Sequence, residues 1–242
     1  MLTDKIQEMG FRANVLGDQV SSILAEAILD DVLKGGQQLV EMDLQKQFGI
    51  SRSPLREAFR TLEKKGLVVI VPRKGAFVRE VTAADIAKTY PIRASLEAIA
   101  AKEAHGRMSS SEKETLIETL RRMEECFHGG DTRNYWKQHF IFHEIFITAS
   151  GNDVLIDILE NLRLRTHRYR FSQEYYRDHF SGNIKVHRKI CDLLTDEGSS
   201  AKELGELVRT HIEESSRIFI ANLVHTVPGR DDPPPAGALT GD

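Results

Sequence analysis

Apolar positions recur along the chain with two different periods. Over residues 18–36, Val20, Ile23, Leu24, Ala27, Ile28 and Leu33 share a helical face, and Gly35-Gly36 is a natural stop. The stretch VEMDLQKQFG then sets Leu44 and Phe48 four apart and closes on Gly49. In ISRSPLREAFRTLEKKG the apolar stripe is Leu55, Phe59 and Leu62. Ser51 or Ser53 is placed to cap that helix, Pro54 suits its first turn, and Gly66 ends it. The period next shifts toward that of strands. LVVIV and AFVREV are β-branched runs around PRKG, which predicts a hairpin with Arg73 and Lys74 at its tip.

From Thr82 to about Val224 the helical period returns. Helices are predicted near 82–105 (bent at Pro91), 110–128, 132–150, 153–178, 182–196 and 199–224, separated by HGRMSSS, HGGD, SGND, FSGN and DEGSS. The final TVPGRDDPPPAGALTGD has no period and predicts a disordered tail. The fold class is therefore mainly α. A winged helix-turn-helix is expected over residues 1–80, an all-α helical bundle over 81–225 and the tail over 226–242.

Composition narrows the setting. Hydrophobic residues make up 40% and charged residues 29%, as in a globular protein with a proper core. No apolar run is long enough to span a bilayer, and the N-terminus lacks the basic-then-apolar pattern of an export signal. Two cysteines without a CxxC argue against a disulfide framework and suit a cytoplasmic setting. The net charge of −3 hides an uneven distribution. Residues 52–79 carry Arg52, Arg56, Arg60, Lys64, Lys65, Arg73, Lys74 and Arg79 against Glu57 and Glu63. Such a basic patch on an otherwise acidic chain is either a solvated face or the footprint of a module that binds a polyanion. Arg52, Arg56, Arg60 and Lys64 repeat every four residues, so they line one face of a helix placed to enter a DNA groove, with a basic wing beside it.

The stretch LVEMDLQKQFGISRSPLREAFRTLEKKGLVVIVPRKGAFV resembles the N-terminal winged helix of GntR-type bacterial transcription regulators. That resemblance implies double-stranded operator DNA as partner. It also implies Arg52 and Arg56 as base or phosphate readers, Ser51 and Ser53 as phosphate contacts, and Gly75 as the wing turn. Arg60, Arg73 and Lys74 join them as basic residues of the same surface. Some relatives place an arginine early in the second helix, where this chain has Met42.

Four histidines fall on inward faces of the helical portion. His139 and His143 share a stripe with Phe142 and Phe146; His187 lies with Ile184, Ile190, Cys191 and Leu194; His211 lies with Leu204, Leu207, Val208 and Ile218. A buried imidazole costs a few kcal/mol if unsatisfied, on the order of 1–3 by protein measurements. Separate core hydrogen bonds could satisfy each ring, but a shared divalent ion satisfies all of them together.

The motifs RASLE (93–97), FHEIFITASGN (142–152), VHRKI (186–190) and THI (210–212) are similar to those of the FCD ligand-binding domain in the FadR branch of GntR regulators. The resemblance implies His143, His187 and His211 as metal ligands, and His139 stands where metal-binding relatives have an aspartate. It also implies that Arg93 pairs with a small carboxylate effector; the alternative is an ion pair with Glu97. An all-histidine set is uncharged, which favours zinc, nickel or a similar transition ion and draws anions to it. His139 could also swing away and leave three ligands.

The combined expectation is a cytoplasmic homodimer, a repressor, that binds a palindromic operator and responds to a small carboxylate. Other readings give the metal a structural or signalling role, or make the bundle a metal-dependent hydrolase. The last lacks support, because there is no HExxH, nucleophile elbow or phosphate loop, and Glu144 lies off the inward stripe.

Overall fold

The computed structural model describes residues 2–167 and 180–226. In chain order these form α1 (Leu2–Leu29), β1 (Gln38–Leu39), α2 (Glu41–Phe48), α3 (Arg52–Lys64), β2 (Val68–Val71) and β3 (Gly75–Val78). They continue with α4 (Ala83–Ala104), α5 (Ser110–Gly129), α6 (Thr132–Ala149), α7 (Asp153–His167), α8 (Phe180–Thr195) and α9 (Ala201–Thr226). The chain is mainly α, with a winged helix-turn-helix ahead of a helical bundle. Residues 168–178 of the expected 153–178 helix, and 227–242 of the expected tail, lie outside the described residues.

Two apolar cores form, one on each side of Val81. The first joins Val20, Leu24 and Ile28 of α1 to Leu55, Phe59 and Leu62 of α3 and to Val68, Ala76 and Val78 of the sheet. Burying the α3 stripe turns its basic face outward. Gly49 closes α2 in the left-handed region (φ 65°), where a residue without Cβ avoids strain, and this makes the sharp turn into α3. The wing pairs Val71 with Gly75 antiparallel, and Gly75 (φ 101°) and Arg73 (φ 64°) both take positive φ at its tip. β1 adds a third strand on the β3 edge, in the order β1-β3-β2.

The second core is built around α4, which packs against α9, α6 and α7. A capping box starts α4: the Asp85 amide donates to Thr82 Oγ1 (3.1 Å) and the Thr82 amide to Asp85 Oδ2 (3.0 Å). The helix runs on through Pro91. Ser109 and Glu112 form a second such box at α5, and Asp131 caps α6 through the Asn134 amide. Side chains also cross between the two parts. Arg133 (3.0 Å) and Lys137 (3.8 Å) of α6 pair with Asp30 beyond α1, and Arg79 pairs with Asp85 (3.1 Å).

Three local expectations need correction. α1 ends before Gly35-Gly36 because Asp31 turns left-handed (φ 56°), and the Val32 and Leu33 amides fold back onto the Ala27 carbonyl (2.9 and 3.0 Å). Ser51 occupies the N-cap position of α3, yet its side chain makes no cap hydrogen bond. Phe180–Asn183, read as a turn, is already helical; packing of α8 on α5 and α9 overrides the weak local propensity of Ser-Gly-Asn.

Candidate functional site

A concave surface of about 470 Å³ lies between α3 and the wing, and Glu41, Arg52, Arg56, Arg60, Arg73 and Lys74 line it. Gly75 lies on the same surface, while Ser51 and Ser53 are exposed at the start of α3. Glu41 grips both leading arginines: Arg52 Nε donates to its Oε2 (2.6 Å) and Arg56 Nε to its Oε1 (3.1 Å). Partial burial pushes the Glu41 carboxyl up, but hydrogen bonds and charge from Arg52 and Arg56 hold it below its ordinary value. Only the Nε edges of the guanidiniums are used in these bonds, so their outer N–H groups remain able to meet phosphate or a guanine edge. Met42, at the position where some relatives carry arginine, is 76% exposed.

In the bundle, α6, α8 and α9 bring His139, His143, His187 and His211 together. All are buried, and one ring nitrogen from each lies within 4.8 Å of the others. Hydrogen bonding assigns the tautomers of two rings. His143 Nδ1 lies 2.7 Å from Glu97 Oε2, and His187 Nδ1 lies 2.7 Å from the Asn183 carbonyl oxygen. A carboxylate and a carbonyl only accept, so both Nδ1 atoms carry the proton. When the rings are neutral, that placement leaves the lone pair on Nε2, and the two Nε2 atoms face each other at 3.2 Å. Two lone pairs at that distance repel unless a proton or a metal cation lies between them. For zinc–nitrogen bonds near 2.0–2.1 Å, tetrahedral ligands sit about 3.3 Å apart. The His143–His187 pair already has that spacing, and with all four nitrogens within 4.8 Å of one another the donor set fits such an ion after a small closing of the remaining rings.

Arg93 and Glu97, one helical turn apart on α4, are 3% and 0% exposed. Arg93 donates to Glu97 Oε1 through Nε (3.1 Å) and Nη2 (2.7 Å), and its guanidinium stacks 4.7 Å from the Tyr90 ring centroid. Burial pushes the Glu97 carboxyl up, but the charge of Arg93 and the hydrogen bond from His143 hold it well below the usual carboxylate range. The Arg93–Glu97 ion pair, one of the two readings of Arg93, is therefore formed. Glu144 is engaged outside the cluster by Arg163 (2.5 Å).

Sequence reasoning missed two residues. Glu97 entered only as a partner for Arg93, although a glutamate in a buried stripe with Tyr90, Ala94 and Ala101 was a signal that its charge has more than one partner. Nothing in the periodicity of α2 marks Glu41 as the clamp of α3. Among the described residues, no helix is long and apolar enough to cross a membrane.

A winged helix with a basic concave face, joined to a helical domain that gathers four buried histidines, is the architecture of a DNA-binding regulator. Residues 16–78 match the bacterial regulatory proteins of the gntR family, and residues 88–214 match the FCD domain. The chain belongs to this family: it is a GntR-type transcription regulator with an FCD domain, not an enzyme. It is 33% identical over 171 residues to the uncharacterized HTH-type transcriptional regulator YdhC of Bacillus subtilis, covering 70% of this chain and 76% of that one. It is 24% identical over 180 residues to the transcriptional repressor RspR of Escherichia coli (74% and 78% covered). A putative GntR regulator from Rhodococcus shares the fold with a TM-score of 0.73 at 22% identity, covering 85% of this chain and 97% of that one. E. coli McbR/YncC does so with a TM-score of 0.70 at 22% identity, covering 87% and 98%.

Proposed function

We propose that this regulator is a cytoplasmic, homodimeric repressor of a palindromic operator, controlled by a small carboxylate that binds beside a metal ion in the helical domain. Repression is favoured by relatives of that name, RspR and the gluconate operon transcriptional repressor of Bacillus licheniformis, the latter 28% identical over 148 residues (61% of this chain, 60% of that one). In this reading Ser51, Arg52, Ser53, Arg56, Arg60, Arg73, Lys74 and Gly75 contact DNA. The arginines read base edges and the remainder hold the backbone.

His139, His143, His187 and His211 would hold the ion, zinc or alternatively nickel or another transition ion. The carrying observation is the buried four-histidine cluster, in which the Nε2 atoms of His143 and His187 meet at 3.2 Å. A bound ion would supply positive charge for an incoming anion. Since the Arg93–Glu97 pair is neutral as a unit and the histidines are uncharged, that charge stays uncompensated until an anion arrives. Arg93, joined to the cluster through Glu97, is assigned to the effector's carboxylate.

α6 is a candidate route to DNA. It carries His139 and His143 toward the bundle interior and meets Asp30 of the winged helix through Arg133 and Lys137. An effector that favours one placement of α6 shifts the placement of the winged helices by differential affinity. The test is elemental analysis of metal-supplemented protein, followed by operator titration with candidate carboxylates. Wild-type protein should bind about one ion per chain and His143→Ala should bind none. A wild-type protein free of metal sinks the metal reading, and a carboxylate-insensitive operator affinity sinks effector control. The second result leaves the metal as a structural element or as the signal itself. The Arg93 guanidinium, already engaged by Glu97, is the observation that favours that second reading.

A further inference from the structure

Glu97 divides its two oxygens in an unusual way. An arginine and a carboxylate commonly meet fork to fork, each oxygen taking one N–H. Here both donors of Arg93 converge on Oε1, at 3.1 and 2.7 Å, and Oε2 is left for His143 Nδ1 at 2.7 Å. A glutamate present only to neutralise Arg93 has no need to give one oxygen to an imidazole on another helix. The group is 0% exposed, so the division is not imposed by water.

We propose that Glu97 is the positioning residue of the metal centre: its Oε2 holds His143 in the Nδ1–H tautomer and aims Nε2 at the ion, while Arg93 pins its Oε1. This deepens the metal reading and rests on it. His187 is held in the same way by the Asn183 carbonyl at 2.7 Å, but that acceptor is backbone and carries no net charge. Of these two, His143 is the one whose basicity and direction depend on a side chain, and through that side chain on Arg93. A carboxylic partner on a ligating imidazole raises its basicity, and removing such partners lowers metal affinity about 10- to 100-fold. The arrangement also gives Arg93 a role before any effector arrives. It engages Oε1 through two N–H groups, so that the second oxygen stays turned to His143.

The test compares wild-type and Glu97→Gln protein by zinc titration against a chelator, and by the visible spectrum after loading with cobalt(II). A glutamine can keep an oxygen toward Arg93 only by turning its NH₂ toward His143, which reverses the ring's tautomer. The expected result is a loss of zinc affinity of about 10- to 100-fold, with a shifted cobalt band. Binding within about twofold of wild type and an unchanged band would overturn the proposal. Should the variant fail to fold, long-range ¹H–¹⁵N spectra of zinc-loaded wild-type protein decide the matter. Protonated Nδ1 and metal-bound Nε2 on His143 support it, and the reverse assignment defeats it. A wild-type protein that takes up no zinc overturns the metal reading and this inference with it. A wild-type protein that binds zinc while the variant binds equally well overturns this inference alone.

Discussion

Glu41 and Glu97 perform the same task in two different surroundings. Each is a carboxylate shared between two donors, Arg52 and Arg56 in one case, Arg93 and His143 in the other. The Arg52 and Arg56 side chains are 64% and 55% exposed, whereas Arg93 and Glu97 are 3% and 0% exposed. Water competes with the first set and is excluded from the second. The surface clamp is therefore cheap to loosen, which suits the DNA-contacting role proposed for Arg52 and Arg56. The interior pair cannot be opened without leaving a buried charge, which suits a fixed element of a ligand centre.

The contrast predicts effects of very different size. Glu97→Ala leaves Arg93 buried and unpaired, and it should cost about 3–5 kcal/mol of stability, read as a lowered urea midpoint. A loss below about 1 kcal/mol would place Glu97 with surface residues. Arg52→Ala or Arg56→Ala should each remove about 1–3 kcal/mol of discrimination for operator over unrelated DNA at fixed salt, while zinc uptake is unchanged. Retained specificity would take both residues off the reading surface. Thr82→Ala, which removes the α4 cap, should cost about 1 kcal/mol in thermal unfolding.

Glu41→Ala should change stability by less than about 1 kcal/mol, so the clamp is the smallest effect in denaturation. Its pH dependence has a definite sign. The folded-state pKa of Glu41 is lowered from the ordinary 4.5, so its contribution is complete above that value and disappears as pH falls through the folded value. Wild-type and Glu41→Gln curves should converge in acid and separate toward neutrality. A gap that widens in acid would contradict the assigned shift.

Much of this molecule was legible from spacing. The helical period placed α4, α5, α6 and α9 within a residue or two of their observed ends, because amphipathic faces are encoded locally. It also put His139, His143, His187 and His211 on inward faces, where each is buried. What escaped depends on partners distant in sequence. β1 is two residues long, too short to show alternation, and exists because β3 offers an edge. Asp31 ends α1 through a left-handed backbone that no hydrophobic count reveals. The bond from Glu97 to His143 joins α4 to α6, and the bonds from Glu41 to Arg52 and Arg56 join α2 to α3. Periodicity assigns a face to each residue but does not say which residue of another helix will meet it.

The joint at Asp30 sets how firmly the two parts are held in register. Its pairs with Arg133 and Lys137 involve side chains that are 55% and 43% exposed, facing an aspartate at 38%. At physiological ionic strength, with a Debye length of about 8 Å, screening leaves such pairs little strength. Salt then acts twice on operator affinity. It weakens the phosphate contacts through counterion release, and it loosens the link between α6 and the domain that makes those contacts. A linkage this light is also easy to repopulate. Moving a two-state equilibrium from 1:99 to 99:1 takes about 5.5 kcal/mol of differential affinity, and almost none of that is needed to break the joint at Asp30.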